Sequence, residues 1–420
     1  MRHLGAAGFL LFWMLAASGL YLYLRFDTSA AGAYDSIGEL EWWFGGVLRG
    51  VHRYAADAFV IVTLSHLLRE AYLGRWRGFR AFSWISGIPL VWLLYASGLV
   101  GYWLVWDTRS QFSFHATLEW MGLGAAADAA PDRLFSLFVF LHIGLPLALL
   151  AGMWVHVQRL GQPKTWPPRD VAFAFTAVIL VLAVLHPAAS EPRWSAARTA
   201  DSVSVDWFYQ FIHPLMYATS PALLWALALG ISALLLALPY FSKEHVVAAR
   251  VDPANCNACG RCVSDCPYNA IQLDDKAMVL AERCAACGIC AGACPSSTPF
   301  RSIRELVSGI ELPDLTINHV RKTLQAALPC EEVIFCCEKN RVPGAIALRC
   351  LAMLPPAFVE YALRNGAARV KAIGCAGECA YRLGMELCEE RFAGRREPHL
   401  RSSVAFERKH NEYRFDLRST

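Results

Sequence analysis

The sequence predicts a multidomain protein: an all-α transmembrane helix bundle, then an α+β domain, then a small α/β domain. Three observations point there. Residues 1–240 hold six long apolar runs. Eight of the 15 cysteines sit in two copies of a C-x-x-C-x-x-C-x-x-x-C-P run after residue 255. Residues 329–420 alternate apolar strand-like and helix-like stretches.

A chain of 420 residues is too long for one ordinary core. Its hydrophobic fraction of 56% and mean hydropathy of +0.34 are high for a soluble protein. The excess lies before residue 241. A net charge of +4 without a dense basic run excludes nucleic acid as the expected partner.

A spanning helix takes about 20 apolar residues. The candidates are 6–24, 47–70, 84–106, 134–158, 171–187 and 221–240. The first also admits a signal-peptide reading, with Arg2 before an apolar stretch and small residues at Ala16-Ala17-Ser18. The apolar run continues to Leu24, which favours a span.

Histidines carry most of the information. His52 and His66 lie 14 apart on the second span, and His142 and His156 lie 14 apart on the fourth. At about 100° per residue, 14 steps fall about 40° short of four turns and rise about 21 Å. Each pair therefore shares one helix face at two depths. Two such helices side by side present two His–His clamps, each suited to a haem iron. The alternative is four unrelated membrane histidines, which leaves the repeated spacing unexplained. Gly5 and Gly19, and Gly87 and Gly101, repeat the 14-residue period on the first and third spans. Glycine lets a flat macrocycle approach the backbone, although small residues also serve helix packing.

Here the sequence resembles the cytochrome b of quinol-oxidising bc-type complexes. Leu48-Arg49-Gly50-Val51-His52-Arg53 and His66-Leu67-Leu68-Arg69 resemble that family's second helix. Trp84-Ile85-Ser86-Gly87 and Gly101-Tyr102-Trp103-Leu104-Val105-Trp106 resemble its third, with Val105 where the family usually has Pro. The resemblance implies two haems b, one between His52 and His142 and one between His66 and His156. It also implies Arg49 and Arg69 as haem-propionate partners, where plain composition offers snorkelling interfacial arginines. Val205-Asp206-Trp207-Phe208-Tyr209 resembles the Pro-Glu-Trp-Tyr motif of the family's outer quinol site, with Asp for Glu and no Pro. On that likeness Asp206 accepts a quinol proton while Trp207, Phe208 and Tyr209 line the pocket. The other reading is an interfacial aromatic belt with one solvated acid.

Loop charge gives orientation. Arg69, Arg75, Arg77 and Arg80 follow span two, and Arg159, Lys164 and Arg169 follow span four. These loops are expected in the cytoplasm, with both termini. The expected location is a prokaryotic inner membrane, multi-pass, with cytoplasmic C-terminal domains. Asp57 is unusual inside a span, since a central charge costs about 2.5–3.5 kcal/mol.

Residues 241–300 form the second expected domain. Cys256, Cys259, Cys262 and Cys266-Pro267, then Cys284, Cys287, Cys290 and Cys294-Pro295, follow the bacterial two-cluster ferredoxin pattern. In that pattern the fourth Cys of each run serves the other cluster. One [4Fe-4S] cluster would take Cys256, Cys259, Cys262 and Cys294, and the other Cys284, Cys287, Cys290 and Cys266. A zinc site needs only four ligands and does not account for eight. Cluster spacing rather than disulfide spacing places the tail in a reducing compartment.

Residues 301–328, with Pro299 and Pro313 nearby, are expected to link domains. Residues 329–420 form the last domain. Val333-Ile334-Phe335 and Arg369-Val370-Lys371-Ala372-Ile373 are expected strands, with helices around 351–364 and after Cys379. Phe335-Cys336-Cys337, Arg349-Cys350 and Gly374-Cys375 through Cys379 resemble the small iron–sulfur subunit that links hydrogenases to heterodisulfide reductases. That subunit's further Cys is Asn340 here. The resemblance implies one [2Fe-2S] cluster on Cys337, Cys350, Cys375 and Cys379, with Cys336 as the alternative to Cys337. Free thiols and a chance C-x-x-x-C are the plain reading. Cys330 and Cys388 are expected to be structural.

The sequence carries no nucleotide-binding glycine fingerprint and no nucleophile constellation. It is therefore expected to be the electron-transfer, quinone-reactive subunit of a respiratory oxidoreductase. Its expected partners are lipid, quinone, a cytoplasmic dehydrogenase or flavoprotein subunit, and a second copy as a homodimer. The alternatives are quinol-driven reduction of a low-potential cytoplasmic acceptor, and a docking scaffold or redox sensor.

Overall fold

The computed structural model describes residues 3–40, 42–124, 131–193, 203–242 and 246–417. It divides into two units. One comprises residues up to Arg77, Ala81–Val157 and Lys164–Phe241; the other comprises Gly78–Arg80, Gln158–Pro163 and Ser242–Thr420.

The first unit is helical: α1 (Leu4–Arg25), α2 (Ala33–Gly38), α3 (Val47–Tyr72), α4 (Ala81–Trp103), α5 (Thr108–Trp120), α6 (Pro131–Val157), α7 (Arg169–Leu185), α8 (Ile212–Ala218) and α9 (Pro221–Ala237). Six of these helices cover the six expected spans. Among the described residues, four are long and apolar enough to cross a membrane: α1, α4, α6 and α9. The other two differ for visible reasons. Helix α3 is long but carries Arg49, Arg53, Asp57, Arg69 and Glu70, and α7 has only 17 residues. The core runs through Leu11, Ala55, Phe59, Val60, Ile179 and Ala183. Close helix contact needs Gly50, where an added Cβ would stand 2.9 Å from Ala183 Cβ.

The second unit begins with β1 (Arg250–Val251), α10 (Arg261–Ser264), β2 (Ile271–Leu273), β3 (Ala277–Val279), α11 (Ile289–Ala293) and β4 (Ile310–Glu311). It continues with α12 (Ile317–Ala327), β5 (Cys330–Cys337), β6 (Ile346–Leu348), α13 (Ala357–Arg364), β7 (Ala367–Ile373), α14 (Gly384–Phe392), β8 (Val404–Lys409) and β9 (Glu412–Leu417). Two small antiparallel pairs, β1–β4 and β2–β3, frame the cysteine runs. The last five strands form one sheet in the order β6-β5-β7-β9-β8. β6, β5 and β7 are parallel, while β9 and β8 add an antiparallel hairpin.

Residues 301–328, expected as a linker, hold β4 and α12. Thr316 caps α12 by accepting from His319 N–H at 3.1 Å. Ile317, Val320 and Leu324 are buried on one face of that helix. The expected boundary at residue 328 is likewise not a break in packing. A single core joins Cys290, Leu312, Leu324, Phe335, Phe358 and Phe415. Arg391 ties the unit together from inside. It is 1% exposed and donates to Asp265 Oδ2 (2.5 Å), Ala352 O (2.7 Å) and Ile289 O (3.3 Å).

Candidate functional site

Helix α3 presents His52 and His66 toward His142 and His156 of α6. The His52 and His142 ring centres lie 6.2 Å apart, and those of His66 and His156 lie 6.5 Å apart. A metal ion clamped by two imidazoles, with bonds of about 2.0–2.1 Å, sets their ring centres about 6.3 Å apart. Both pairs therefore fit a bis-imidazole iron.

Three of the four rings are oriented through Nδ1. Ser18 Oγ meets His52 at 3.0 Å, Ser97 O meets His142 at 3.0 Å, and Ser86 Oγ meets His156 at 3.1 Å. Occupying Nδ1 leaves Nε2 for a metal. His66 Nδ1 stands 4.0 Å from Glu70 Oε1. Each expected glycine faces one of these rings. An added Cβ would stand from the ring's Cε1 at 3.9 Å (Gly5, His66), 3.1 Å (Gly19, His52), 3.1 Å (Gly87, His156) and 2.6 Å (Gly101, His142). The glycines thus make room for the imidazole edge, a role the spacing alone did not suggest. Arg49 donates to Ser190 Oγ at 2.8 Å, and Arg69 pairs with Glu70.

Asp206 does not stand free at a surface. It is 5% exposed. Its Oδ2 accepts from Arg53 Nη2 (2.7 Å) and the Tyr102 hydroxyl (2.8 Å), and its Oδ1 from the N–H groups of Phe208 (2.9 Å) and Tyr209 (2.6 Å). Asp206 N–H donates to Gln210 Oε1 at 3.0 Å. Tyr209 is 1% exposed and its hydroxyl has no partner among the described residues. Trp207 is 54% exposed. Arg53 also pairs with Asp57 one turn along α3. Sequence reasoning missed Arg53 and Tyr102, whose partner lies over 100 residues away.

In the second unit the eight ferredoxin-type cysteines separate into two sets of four. Cys256, Cys259, Cys262 and Cys294 line one cavity. Cys266, Cys284, Cys287 and Cys290 line another. The fourth Cys of each run lines the other run's cavity. Each run wraps its cavity with two residues of positive φ: Ala258 and Gly260, then Ala286 and Gly288. Alanine there is strained backbone, held by the surrounding fold. Backbone N–H groups point at sulfur, from Ala270 to Cys266 at 3.3 Å and from Ala286 to Cys284 at 3.4 Å. Burial pushes the Cys262 thiol up to about 11 and raises those of Cys287 and Cys290. Such thiols shed their protons when a cation sits beside them, and this donor set suits iron–sulfur clusters.

The last thiols gather at the carboxyl ends of parallel strands, where ligands are expected in such sheets. Cys337 ends β5, Cys350 follows β6, and Cys375 follows β7. The Cys375 thiol donates to Cys337 Sγ at 3.5 Å. Cys379 Sγ stands beside the thiols of Cys350 and Cys375. The bond from Cys375 lowers the Cys337 thiol to about 7. An added Cβ at Gly384 would stand 3.1 Å from Cys379 Sγ and 3.9 Å from Ile289 Cδ1, so this set adjoins the Cys287 set. Cys336 is buried too, but successive strand residues face opposite ways, and it lies on the face away from these thiols. Cys330 begins β5 at its other end, and Cys388 is buried on α14.

Comparison with known proteins agrees with this layout. Residues 1–162 match the cytochrome b/b6/petB family, residues 255–298 the 4Fe-4S dicluster domain, and residues 333–408 the methyl-viologen-reducing hydrogenase, delta subunit. The menaquinol:cytochrome c reductase cytochrome b subunit of Geobacillus thermodenitrificans is 25% identical over 162 residues, covering 34% of this chain and 72% of that protein. Its counterpart in Bacillus subtilis (strain 168) is 28% identical over 104 residues, covering 24% and 46%. Cytochrome b of Dictyostelium citrinum is 36% identical over 98 residues, covering 23% and 25%. The chain thus spans less than half the length of the last two relatives. Among solved structures, a hyperthermophilic respiratory Complex III matches with a TM-score of 0.48 and 20% identity, over 58% of this chain and 76% of that one. The chain carries a cytochrome b/b6 domain in its N-terminal half, then a 4Fe-4S dicluster domain and a methyl-viologen-reducing hydrogenase delta-subunit domain, and is a membrane electron-transfer subunit.

Proposed function

We infer that this subunit passes electrons from a cytoplasmic dehydrogenase or flavoprotein partner, through iron–sulfur clusters and two haems b, to quinone. The observation that carries this reading is the pair of His–His clamps, with ring centres 6.2 and 6.5 Å apart. His52 and His142 would hold one haem, and His66 and His156 the other. Haem supplies one-electron storage at two depths of the bundle. The chain's own residues fix ring orientation through Ser18, Ser97 and Ser86 and shape the clearance with four glycines.

In the tail, Cys337, Cys350, Cys375 and Cys379 would hold a [2Fe-2S] cluster, and the two four-cysteine sets would hold [4Fe-4S] clusters. The first set adjoins the Cys287 set, which suits passage between them. The tail would face the cytoplasm, on the charge of the loops after spans two and four. Trp207, Phe208 and Tyr209 belong to the quinone site, and a homodimer is the expected assembly.

The test is anaerobic. The purified complex is reduced, quinone is added, and haem reoxidation is followed optically. Reoxidation at catalytic rates supports the reading. Haems that stay reduced point instead to a scaffold or sensor. Subunits that co-purify, identified by mass spectrometry, fix the direction: a dehydrogenase partner means flow toward quinone, and a Rieske or c-type partner means flow from quinol.

A further inference from the structure

Inside the helical unit, one cation faces a buried carboxylate and a half-buried one. Arg53 pairs with both Asp57 and Asp206. Their side chains are 29%, 16% and 0% exposed. Asp206 is saturated by four donors, including two backbone N–H groups. Asp57 has Arg53 as its charged partner and lies within hydrogen-bonding reach of Trp207.

Among the described residues, the other groups that face this cluster are neutral. Tyr102 donates to Asp206 and lies under the Arg53 guanidinium, 5.2 Å from ring centre to Cζ. Tyr95 donates to Tyr209 O at 2.9 Å. Gln210 Oε1 accepts from Asp206 N–H, and its Nε2 has no partner among the described residues. The Tyr209 ring packs against Gly98, where an added Cβ would stand 2.7 Å from the Tyr209 hydroxyl. That hydroxyl is buried beside the cluster and bonds nothing among the described residues. A buried polar group without a partner is costly and needs a reason, such as a role in the chemistry of the site.

With both carboxylates ionised, the cluster carries one more anion than cation. An uncompensated buried charge costs several kcal/mol. The excess is relieved by one proton. Asp206 cannot take it without discarding donors already aimed at both oxygens. Asp57 can.

We propose that Asp57 is the proton-exchanging acid of the quinone site and that Asp206 is the fixed anion that holds Arg53 in place. This rests on the quinone reading above and changes its chemistry: the motif acid anchors, and an acid one turn past Arg53 titrates. Quinone becomes quinol by taking two electrons, one at a time, from a one-electron donor of the ferrous-haem class, together with two protons. For each proton the Asp57 O–H bond breaks and a quinol O–H bond forms, and Asp57 regains its proton from water. Tyr209 supplies the hydroxyl that orients the quinone oxygen.

The test uses the whole complex in membranes, with Asp57→Asn, Asp57→Glu and Asp206→Asn. Two readouts are taken: the pH dependence of the haem midpoint potentials without quinone, and the rate of quinone-driven haem reoxidation against pH. Asp57→Asn is expected to keep both haems, to flatten the pH dependence of one midpoint, and to slow quinone-driven reoxidation by about a hundredfold or more. Asp57→Glu restores a shifted pH dependence, and carries the test if the Asn variant loses haem. A wild-type pH dependence of both readouts in Asp57→Asn overturns the proposal. So does a flat one that appears only in Asp206→Asn. Wild-type haems that quinone never reoxidises sink the quinone reading, while the midpoint readout still decides whether Asp57 binds the proton.

Discussion

Replacing the four clearance glycines by alanine, one at a time, should grade haem loss by geometry. Ordinary carbon–carbon contact lies at about 3.5–4.0 Å. A Cβ at Gly5 would meet His66 at 3.9 Å and needs no movement. At Gly19 and Gly87 the distance is 3.1 Å, so the ring must give by a few tenths of an ångström. At Gly101 it is 2.6 Å, about an ångström too close. His142 cannot yield that much, because Ser97 O holds its Nδ1 and a metal would hold its Nε2. Overpacking of this kind costs about 1–3 kcal/mol, here concentrated on one metal bond. Gly101→Ala should therefore lose the haem between His52 and His142 and keep the other. Gly19→Ala and Gly87→Ala should each weaken one haem, and Gly5→Ala should change little. Optical redox titration of purified protein counts both haems and separates them by potential. If Gly101→Ala keeps both, or Gly5→Ala loses as much, the clearance argument fails.

Four further outcomes follow from the geometry. Cys294→Ser should remove the cluster of the Cys256 set, and Cys266→Ser that of the Cys287 set, read by low-temperature EPR; the reverse assignment would break the crosswise pairing. Cys337→Ser should abolish the last cluster while Cys336→Ser keeps it, measured as iron and sulfide per chain. Arg391→Met leaves Asp265 with Arg396 alone and should destabilise the whole second unit by about 3–5 kcal/mol, seen as early thermal bleaching of every cluster together. Removal of iron should make stability pH-sensitive at the alkaline end. The Cys262 thiol is raised from 9.0 to about 11 in the fold, so the folded state binds its proton more tightly, and that stability is present below pH 9 and lost between about 9 and 11. The iron-loaded protein, its thiols already deprotonated, should show no such loss by circular dichroism.

The candidate metal-binding parts were legible because their chemistry demands fixed spacing. Histidines 14 positions apart, and cysteines three apart, are geometric requirements that composition cannot imitate. β5 was legible from its apolar run Val333-Ile334-Phe335, as buried parallel strands read, and β7 from Val370, Ala372 and Ile373 despite Arg369 and Lys371. The β8–β9 hairpin was not. Val404, Phe406, Tyr413 and Phe415 do alternate, but Glu407, Arg408, Lys409, Glu412 and Arg414 crowd between them, as suits an edge. Helix α12 was missed although Thr316 and the Ile317–Val320–Leu324 spacing announce it. The choice between Cys336 and Cys337 depended on which sheet face holds the thiols, and neighbours in sequence carry no such information. The Arg53–Asp206 pairing joins residues 153 apart, so only the fold reveals it.

The shared core of the second unit bears on the life of the protein in the cell. The three cysteine sets rest on one cooperative body, crossed by a buried arginine, so none has an independent scaffold. A set left empty would loosen the packing around the other two. A cell short of iron would then lose such tails to proteases faster than filled ones. Supply of iron and sulfide during synthesis would then set the amount of the complex, not merely its activity.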